Sequence, residues 1–436
     1  MIPEDWEETT FSEAVEVNPK RELRKGSIAK SVAMEDIQPF TRKISNYISR
    51  EFKGGSKFKN GDTLFARITP SLENGKTAFV DILTSDEIGF GSTEFIVLAA
   101  KNEKTVPYFV HYLSRNPEVR NIAIKSMTGT SGRQRVENDV FHNIVIYLPT
   151  IKEQQTISKI LSNLDSKIEL NQQMNKTLEE ICKAIFKHWF IDFEFPNEQG
   201  KPYKSSGGEM VYSKELEKEI PKGWKISTLS ENTLTTIGGI WGNENPEGKY
   251  SKPAICVRGM DIHEIQNGNQ KNLKVLFVDP KTSENRKLNS GDIIVEISGG
   301  STNQLTGRVL FISNELLKRF NHEILPASFC KLIRFSDVNY SIFFYYLLKW
   351  VRYIGIISQY ETGTTSIKNF QYNIFSKEYK FALPTIDLIN TFHQQSSKIL
   401  IKIESNLYQI QILTKIRDSL LPKLMSGKIR VLVEAD

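Results

Sequence analysis

Short apolar runs bounded by Gly, Asn and Asp alternate with polar stretches through the first 150 residues, and this pattern predicts β-strands. The predicted strands span residues 63–68, 77–83, 94–99 and 143–148. Residues 107–114 instead place apolar side chains three and four positions apart, which predicts a helix. We therefore expect residues 1–150 to form a mixed α/β domain.

The same pattern recurs in the second half of the chain. Five short motifs appear twice in the same order, with an offset that rises from 218 to 235 residues. The paired motifs begin at Pro3 and Pro221, Val32 and Val257, Asn60 and Ser290, Thr128 and Thr362, and Leu148 and Leu383. The second set of strands is predicted at residues 292–297, 307–312, 329–335 and 378–383, with a helix at 341–352. An ordered series of this kind indicates two copies of one unit that differ by short insertions in loops.

A long helix is predicted after each copy. Beyond each Leu-Pro-Thr, apolar residues alternate at spacings of three and four, and neither Pro nor Gly interrupts residues 152–195 or 386–421. A helix of about 38 residues is roughly 57 Å long. The predicted apolar stripe comprises Ile157, Leu161, Leu164, Ile168, Met174, Leu178, Ile181, Ile185 and Trp189 in the first helix, and Phe392, Ile399, Ile403, Ile410, Leu413, Ile416, Leu420 and Leu424 in the second.

These stripes favour packing of the two helices on each other over packing of each helix on its own domain, because helices of this length overhang a domain of about 150 residues. Asn171 and Asn406 interrupt the stripes near the middle of each helix. In an antiparallel pair two mid-helix positions meet, so we expect these asparagines to approach each other and fix the register.

The patterns together predict five segments. We expect a first domain at residues 1–150, a central long helix at 151–195, and a polar linker at 196–219 whose centre is Gly- and Ser-rich. A second domain follows at 220–385, and a second long helix with a tail at 386–436.

Composition excludes several classes of protein. The 436 residues are 39% hydrophobic and 25% charged, as in globular proteins, and no apolar run is long enough to span a membrane. The acidic start lacks the apolar core of a secretory signal. The three cysteines are far apart in the sequence, which argues against a disulfide framework or a zinc site. We expect a cytoplasmic protein.

The charge distribution suits a polyanionic partner. The net charge is +6, but residues 17–59 alone hold 11 Lys and Arg against 4 Asp and Glu, and residues 220–384 hold 20 against 14. Clustering of this kind is what a nucleic-acid-binding surface requires.

Catalytic motifs are mostly lacking. Gly75-Lys76-Thr77 matches the end of a phosphate-binding loop, but Pro70 stands where that loop needs glycine. The six histidines show no ligand spacing, and no adenine-methylase or serine-hydrolase motif occurs. Asp36 with Glu51 and Lys53 fits a metal-dependent nuclease only loosely, and the second copy lacks the Glu-x-Lys. We predict no catalytic residue, metal or cofactor in this chain.

Polar, basic loops in both copies are the candidate binding elements, because they offer hydroxyl and backbone groups to phosphates and longer polar side chains to base edges. In the first copy the candidates are Met34, Arg67, Thr69, Ser71, Asn74, Lys76, Thr128, Thr130, Ser131, Arg133, Gln134 and Arg135. In the second copy they are Arg258, Met260, Ser298, Ser301, Asn303, Gln304, Arg308, Thr362, Thr364, Thr365 and Lys368. Solvated turns are the alternative interpretation for any one of them.

The whole pattern resembles the DNA specificity subunit of type I restriction-modification systems. The resemblance rests on the duplication with a long helix after each copy, on Trp6 and Trp224, and on the repeated Gly-Asp, Thr-Gly-Thr and Leu-Pro motifs. Residues 184–196 look like the end of that family's central helix, and residues 420–431 look like its C-terminal end.

The resemblance implies an α+β fold: two similar mixed α/β target recognition domains separated by two long antiparallel coiled-coil helices, with a pseudo-two-fold internal repeat. It implies a non-catalytic subunit that reads a bipartite site in double-stranded DNA, half a site per domain, with the helices as spacer. Two modification subunits would bring S-adenosylmethionine and methylate adenine, and restriction subunits would use ATP. A protein-binding scaffold without a DNA role remains the alternative, and a nuclease at Asp36, Glu51 and Lys53 is a weaker third.

Overall fold

The computed structural model describes residues 3–130, 132–270, 273–299, 304–363 and 367–432. Its contacts divide the chain into two compact units, Met1–Glu169 with Ile412–Asp436 (the first unit) and Leu170–Gln411 (the second unit). Both boundaries fall inside long helices, so each helix contributes a part to each unit. The sequence had assigned these helices to segments of their own.

The first copy forms every strand and helix that its pattern predicts, with ends shifted by at most four residues. Its strands are β1 (Glu7–Thr10), β2 (Val15–Val17), β3 (Ile28–Val32), β4 (Ile48–Glu51), β5 (Ser56–Phe58), β6 (Thr63–Ala66), β7 (Thr77–Phe79), β8 (Gly89–Gly91), β9 (Phe95–Ala100) and β10 (Val145–Leu148). Its helices are α1 (Phe11–Ala14), α2 (Pro107–Arg115), α3 (Pro117–Lys125) and α4 (Val140–Asn143), followed by the long α5 (Ile151–Phe186).

The second copy also forms its predicted elements. The strands of this part of the chain are β11 (Met210–Ser213), β12 (Lys218–Pro221), β13 (Lys225–Thr228), β14 (Thr233–Gly238), β15 (Lys252–Val257), β16 (Val275–Val278), β17 (Ile293–Glu296), β18 (Ser298–Gly299), β19 (Val309–Phe311), β20 (Glu323–Pro326), β21 (Cys330–Phe335), β22 (Glu361–Gly363), β23 (Lys368–Phe370) and β24 (Lys380–Leu383). Its helices are α6 (Leu229–Asn232), α7 (Gly259–Gln266), α8 (Pro280–Glu284), α9 (Asn314–Lys318), α10 (Tyr340–Tyr353) and α11 (Tyr372–Glu378), before the long α12 (Ile386–Met425).

The two copies share one sheet topology. A four-stranded sheet has the order β2-β9-β6-β7 in the first copy and β14-β21-β17-β19 in the second, with antiparallel neighbours throughout. All residues of β6 and β17 are buried, which explains why these strands read as continuous apolar runs. The parallel pair β3–β8 recurs as β15–β20, and the antiparallel pair β1–β10 recurs as β13–β24. The duplication is therefore confirmed in the fold.

The turn chemistry is repeated as well. In the Gly-Asp turns, the carboxylates of Asp62 and Asp292 accept backbone N–H groups three residues earlier, at 2.8 and 2.7 Å. The glycine before each aspartate has φ of +89° and +94°, which only glycine adopts without strain. These hydrogen bonds fix the entry into β6 and β17.

The two long helices differ from their predicted ends. The first ends as an α-helix at Phe186 and continues as one π-helical segment, Lys187–Ile191, rather than reaching residue 195. The second continues through Pro422 to Met425, beyond the predicted limit of residue 421. Pro422 lies in the last turn, so the hydrogen bond lost with its N–H and the clash of its ring with the preceding turn affect only the end of the helix.

Within each unit the helices run antiparallel. In the first unit Arg417 bonds Asp165 at 2.7 Å and Arg430 bonds Glu153 at 2.9 Å. In the second unit Asn175 donates to the carbonyl oxygen of Ile403 at 3.3 Å, and Asn171, four residues earlier, bonds further along α12. Residue numbers on α12 and in the segment that follows it fall as those on α5 rise, and this confirms the predicted antiparallel pairing.

Both helices also complete the core of each unit. In the first unit the core includes Ile157 and Leu161 of α5, together with Leu421, Leu424 and Met425 of α12. Equivalent positions complete the core of the second unit. There Phe186, Trp189 and Phe190 of the first long helix and its continuation correspond to Leu421, Leu424 and Met425. Phe392 of α12 corresponds to Ile157. Ile181 and Ile416, assigned to the apolar stripe from sequence, are 42% exposed, so the stripe is narrower than predicted.

A buried ion cluster joins three helices of the first unit. The Asp165 carboxylate on α5 accepts from Tyr112 Oη at 2.7 Å and Arg115 Nη1 at 3.3 Å, both on α2, and from Arg417 Nη1 on α12. Burial raises the pKa of the Asp165 carboxyl, but the two guanidinium charges outweigh burial and hold the pKa below its ordinary value. The ionised carboxylate therefore ties the α/β part of this unit to both long helices.

The predicted polar linker at 196–219 is structured. Residues of β11 and β12 pair as an antiparallel hairpin, with Met210 opposite Pro221. Tyr203 stacks on Phe195 with ring centroids 4.5 Å apart, and Phe195 in turn stacks on Trp224. The sequence suggested a linker because the segment is polar and Gly-rich, but a few spaced apolar side chains are enough to attach it to the core.

Candidate nucleic-acid interface

Two predicted loops of the first copy meet beyond the end of β6. The backbone N–H of Thr69 donates to the carbonyl oxygen of Gln134 at 3.0 Å, and the N–H of Gln134 donates to Thr69 Oγ1 at 3.0 Å. The N–H of Val136 donates to the carbonyl oxygen of Arg67 at 2.8 Å. Loop 67–76 and the described residues of loop 128–136 (128–130 and 132–136) therefore form one surface, although some 50 residues separate them in the sequence.

A third segment joins this surface. Lys76 Nζ donates to the carbonyl oxygen of Met34 at 2.8 Å and so attaches the segment 34–36 to the loop 67–76. We call residues 34–36, 67–76, 128–130 and 132–136 the first loop cluster.

The second copy forms an equivalent surface through equivalent backbone hydrogen bonds between its loops. Ser298 pairs with Asn369, and the N–H of Phe370 donates to the carbonyl oxygen of Ile297 at 2.8 Å, as Val136 does to Arg67. The backbone of Gly259 packs so closely on the Glu296 side chain that a Cβ atom would collide with it. We call residues 258–260, 296–299, 304–308, 361–363 and 367–370 the second loop cluster.

Most basic candidates in these clusters are held by carboxylates. Ion pairs join Arg67 to Glu137 at 3.3 Å, Arg135 to Glu94 at 2.7 Å, Arg258 to Asp261 at 2.8 Å, Arg308 to Glu296 at 2.6 Å and Lys368 to Glu361 at 3.0 Å. The hydrogen bonds and charges of these partners raise the pKa of Arg135, Arg258 and Arg308. These side chains are preorganised, and their remaining N–H groups are presented in fixed directions.

Arg133 is different. It is exposed, and its guanidinium makes no hydrogen bond or ion pair to any residue within the described ranges. A long cation without an internal partner, carried on a loop that backbone hydrogen bonds hold in place, can reach a phosphate or the edge of a guanine.

All the candidate residues can be sorted into three groups: exposed, half-buried and outside the described residues. The exposed ones are Asn74, Thr128, Thr130, Arg133, Met260, Gln304 and Thr362. The half-buried ones are Met34, Arg67, Thr69, Ser71, Lys76, Gln134, Arg135, Arg258, Ser298, Arg308 and Lys368. Ser131, Ser301, Asn303, Thr364 and Thr365 lie outside the described residues.

The structure adds a cleft that the sequence did not identify. A surface cleft of about 660 Å³ beside Arg67 is lined by Asn18, Lys20, Arg21, Lys57 and Thr93, among others. Arg21 pairs with buried Asp62 at 2.6 Å, whereas Lys20 is exposed. The excess of Lys and Arg in residues 17–59 was the signal for this cleft, but only the fold places those cations beside the first loop cluster.

Each of the two seam asparagines bonds a residue one helical turn from the other. Both are buried, but Asn171 Nδ2 donates to Gln409 Oε1 at 3.1 Å, and Asn406 Nδ2 donates to Asn175 Oδ1 at 2.8 Å. Each bonds a residue within one helical turn of the other, because the helices are staggered by about that much. The predicted approach of the two asparagines therefore takes the form of one layer of four polar side chains, in which each asparagine bonds a neighbour of the other.

Neither a membrane span nor a metal cluster emerges from the described part of the chain. No helix there is long and apolar enough to cross a membrane, and no three His, Cys, Asp or Glu side chains group as metal ligands would. Asp36 accepts from the backbone N–H of Ala33 at 2.7 Å, and Glu51 faces Lys53 at 3.5 Å in an exposed pair. The residues suggested for a nuclease thus serve as a cap and a surface ion pair.

Comparisons with known proteins point in one direction. Residues 3–218 match a family model described as the type I restriction modification DNA specificity domain. The chain is 28% identical over 334 residues to the type I restriction enzyme MjaIX specificity subunit of Methanocaldococcus jannaschii, over 75% of this chain and 70% of that protein. It is 25% identical over 438 residues to the type I restriction enzyme HindI specificity subunit of Haemophilus influenzae, over 88% and 90%.

A solved structure shares the fold. The type I restriction-modification system S subunit from M. genitalium aligns with a TM-score of 0.51 and 14% identity, over 97% of this chain and 96% of that one.

Proposed function

We propose that the chain is a DNA specificity subunit of a type I restriction-modification system, as the matched family model and the relatives indicate, and that it recognises DNA in the following way. Each unit reads one half of a bipartite site in double-stranded DNA through its loop cluster. The chain itself catalyses nothing. Partner modification subunits methylate adenine with S-adenosylmethionine, and partner restriction subunits use ATP to translocate and cut DNA.

One observation carries this proposal: the two loop clusters are built by the same backbone bonds but present different side chains. Val136 with Arg67 and Phe370 with Ile297 make equivalent bonds at 2.8 Å. Because the framework uses backbone groups, the side chains can vary without altering it. A backbone framework that both copies share, with different side chains on it, suits two domains that recognise different base sequences.

The helix pair is proposed to set the gap between the two half-sites. Supporting this, α5 and α12 each contribute to both units, and the polar layer around Asn171 and Asn406 opposes slippage of one helix along the other. A pair with one fixed register allows one separation of the half-sites.

The decisive experiment maps methylated adenines across a genome that carries this chain with its modification subunits. We expect two short defined half-sites separated by a gap of constant length and undefined sequence. A matched variant with the loop 128–136 altered should change one half-site only. Methylation at an uninterrupted site, or methylation unchanged by removal of the chain, contradicts the proposal.

DNA affinity of the complex should fall linearly when log affinity is plotted against log salt, with a slope of about −0.9 per phosphate neutralised. Affinity for DNA that does not depend on salt would favour the protein-binding scaffold instead.

A further inference from the structure

Three positions at or beside the second loop cluster carry apolar side chains, whereas the equivalent positions in the first copy carry charged ones. The second loop cluster and its border expose Met260, Phe329 and Ile367, which are 60%, 62% and 57% accessible. Large apolar side chains at such exposure lose contact with the core and gain nothing from water. Three such side chains around one group of loops suggest a surface that binds an apolar group.

Framework bonds place Phe329 and Ile367 at this surface. The carbonyl oxygen of Phe329 accepts the N–H of Ile297 at 2.9 Å and the N–H of Ser298 at 3.3 Å. Ser298 and Gly299 pair with Asn369 and Lys368, the residues that directly follow Ile367. Phe329 and Ile367 therefore flank the two-residue strand β18.

Met260 is connected to the same cluster through its neighbour Gly259. It follows Gly259, whose backbone contacts the Glu296 side chain, and Glu296 lies two residues before Ser298. Met260 is one residue before Asp261, which caps the turn by accepting the N–H of Arg258 at 2.9 Å.

The same bonds in the first loop cluster carry charged side chains instead. The carbonyl oxygen of Glu94 accepts the N–H of Arg67 at 2.9 Å, so Glu94 takes the place of Phe329. A Cβ atom added to Gly129 would meet the carbonyl oxygen of Arg133, as one added to Gly363 would meet that of Ile367, so Arg133 takes the place of Ile367. Glu35 precedes the capping Asp36 as Met260 precedes Asp261.

We propose that Met260, Phe329 and Ile367 specify thymine in the half-site read by the second unit, through contact with its 5-methyl group. The methyl group of thymine is the apolar feature among the base edges of the major groove, and apolar side chains recognise it. The flanking cations Lys331 and Lys368 are held by Asn373 and Glu361, which leaves them positioned beside the patch for the DNA backbone. This inference rests on the proposed function.

The test removes methyl groups without changing base pairing. The probe is a duplex carrying the bipartite sequence found by methylation mapping, with each thymine in turn replaced by deoxyuridine. Binding is measured with the full chain in complex with its modification subunits. We expect about a fourfold loss of affinity for each contacted methyl group, confined to one half-site.

Variants connect this loss to the proposed side chains. Phe329→Ala and Met260→Ala should each lower the affinity for thymine DNA and reduce the further loss caused by deoxyuridine, whereas Phe329→Leu should retain most of it. Val211→Ala, another exposed apolar position in the second unit, is the matched control and should behave as the unaltered chain. Arg133→Ala should leave the deoxyuridine effect intact.

Three results would overturn the inference. One is that the affinity stays unchanged when any thymine of either half-site is replaced by deoxyuridine. Another is a loss of affinity on Phe329→Ala with the deoxyuridine effect undiminished, which would indicate stacking or protein contact. The third is that Phe329→Ala and Met260→Ala both bind thymine DNA as the unaltered chain does. In each case sequence-specific binding persists, whereas failure of the proposed function would abolish specific binding altogether.

Discussion

Replacing Asp165 with asparagine should destabilise the first unit by about 3 kcal/mol. Asp165 is 2% exposed and is the shared acceptor for Tyr112, Arg115 and Arg417. Removing one partner of a buried ion pair costs about 3–5 kcal/mol, because the remaining charge is left uncompensated. The lower figure applies here, since Arg115 keeps the carbonyl oxygen of Phe40 at 3.0 Å and Arg417 keeps its neighbouring aspartate.

Urea unfolding and amide hydrogen exchange measure the effect. A loss of 3 kcal/mol corresponds to somewhat more than a hundredfold faster exchange for amides that open with the unit. The effect should be largest in α2, which carries Tyr112 and Arg115. Glu180→Gln is the matched control, because Glu180 forms an exposed pair with Lys183 at 2.8 Å and should contribute less than 1 kcal/mol.

The effect should also depend on pH. The pKa of Asp165 is lowered in the folded chain, so the carboxylate stabilises the fold above its unfolded pKa of about 3.9. That contribution is lost as the pH falls through the lower folded value. The difference between the two chains should be constant from pH 8 to about 5 and shrink below about 4. A difference under 1 kcal/mol at pH 7, or one unchanged in acid, would refute the reasoning.

Further predictions concern the helix pair and the loops. Asn406→Leu alone should cost about 1–3 kcal/mol by leaving the Oδ1 atom of Asn175 without its donor, whereas replacing both Asn406 and Asn175 with leucine should cost much less; a double-mutant cycle by urea unfolding checks this, and additive costs would contradict it. Arg133→Ala should weaken specific DNA binding of the complex at least about fivefold in a filter-binding assay; an unchanged Kd would exclude this residue from the interface. A heptad inserted at both unit boundaries, after residues 169 and 411, should change the gap in the mapped methylation site and leave both half-sites unchanged; altered half-sites would exclude the spacer role. The purified chain alone should neither methylate nor cleave DNA, and activity without partners would refute the non-catalytic assignment.

Local pattern predicted the elements well where burial dictates composition. Strands β6 and β17 are buried along their whole length and were recognised as apolar runs. Strand β4 was missed because all four of its residues are exposed, so its sequence has no alternation to detect. The repeat was predictable because motif order survives insertion, whereas a single motif would have been uninformative.

The candidate site was predictable only as a set of loops. Nothing local in loops 67–76 and 128–136 indicates that Thr69 and Gln134 exchange hydrogen bonds. The pairing of Arg135 with Glu94 likewise depends on a strand register that becomes visible only in the folded sheet. The asparagine layer shows the same limit: periodicity identified both residues, but the stagger of the helices decided their partners.

The segment after α12 docks beside the first residues of the chain. Gly427 packs on Pro3, and Arg430 bonds both Asp5 and Glu153. In the second copy the corresponding place is filled by the residues that follow α5, which lead directly into that copy. Among them, Phe193 and Phe195 pack on Trp224. A circularly permuted gene, with a short bridge from residue 432 to residue 3 and new ends in the turn between β11 and β12, should therefore encode the same recognition protein with its halves in reverse order.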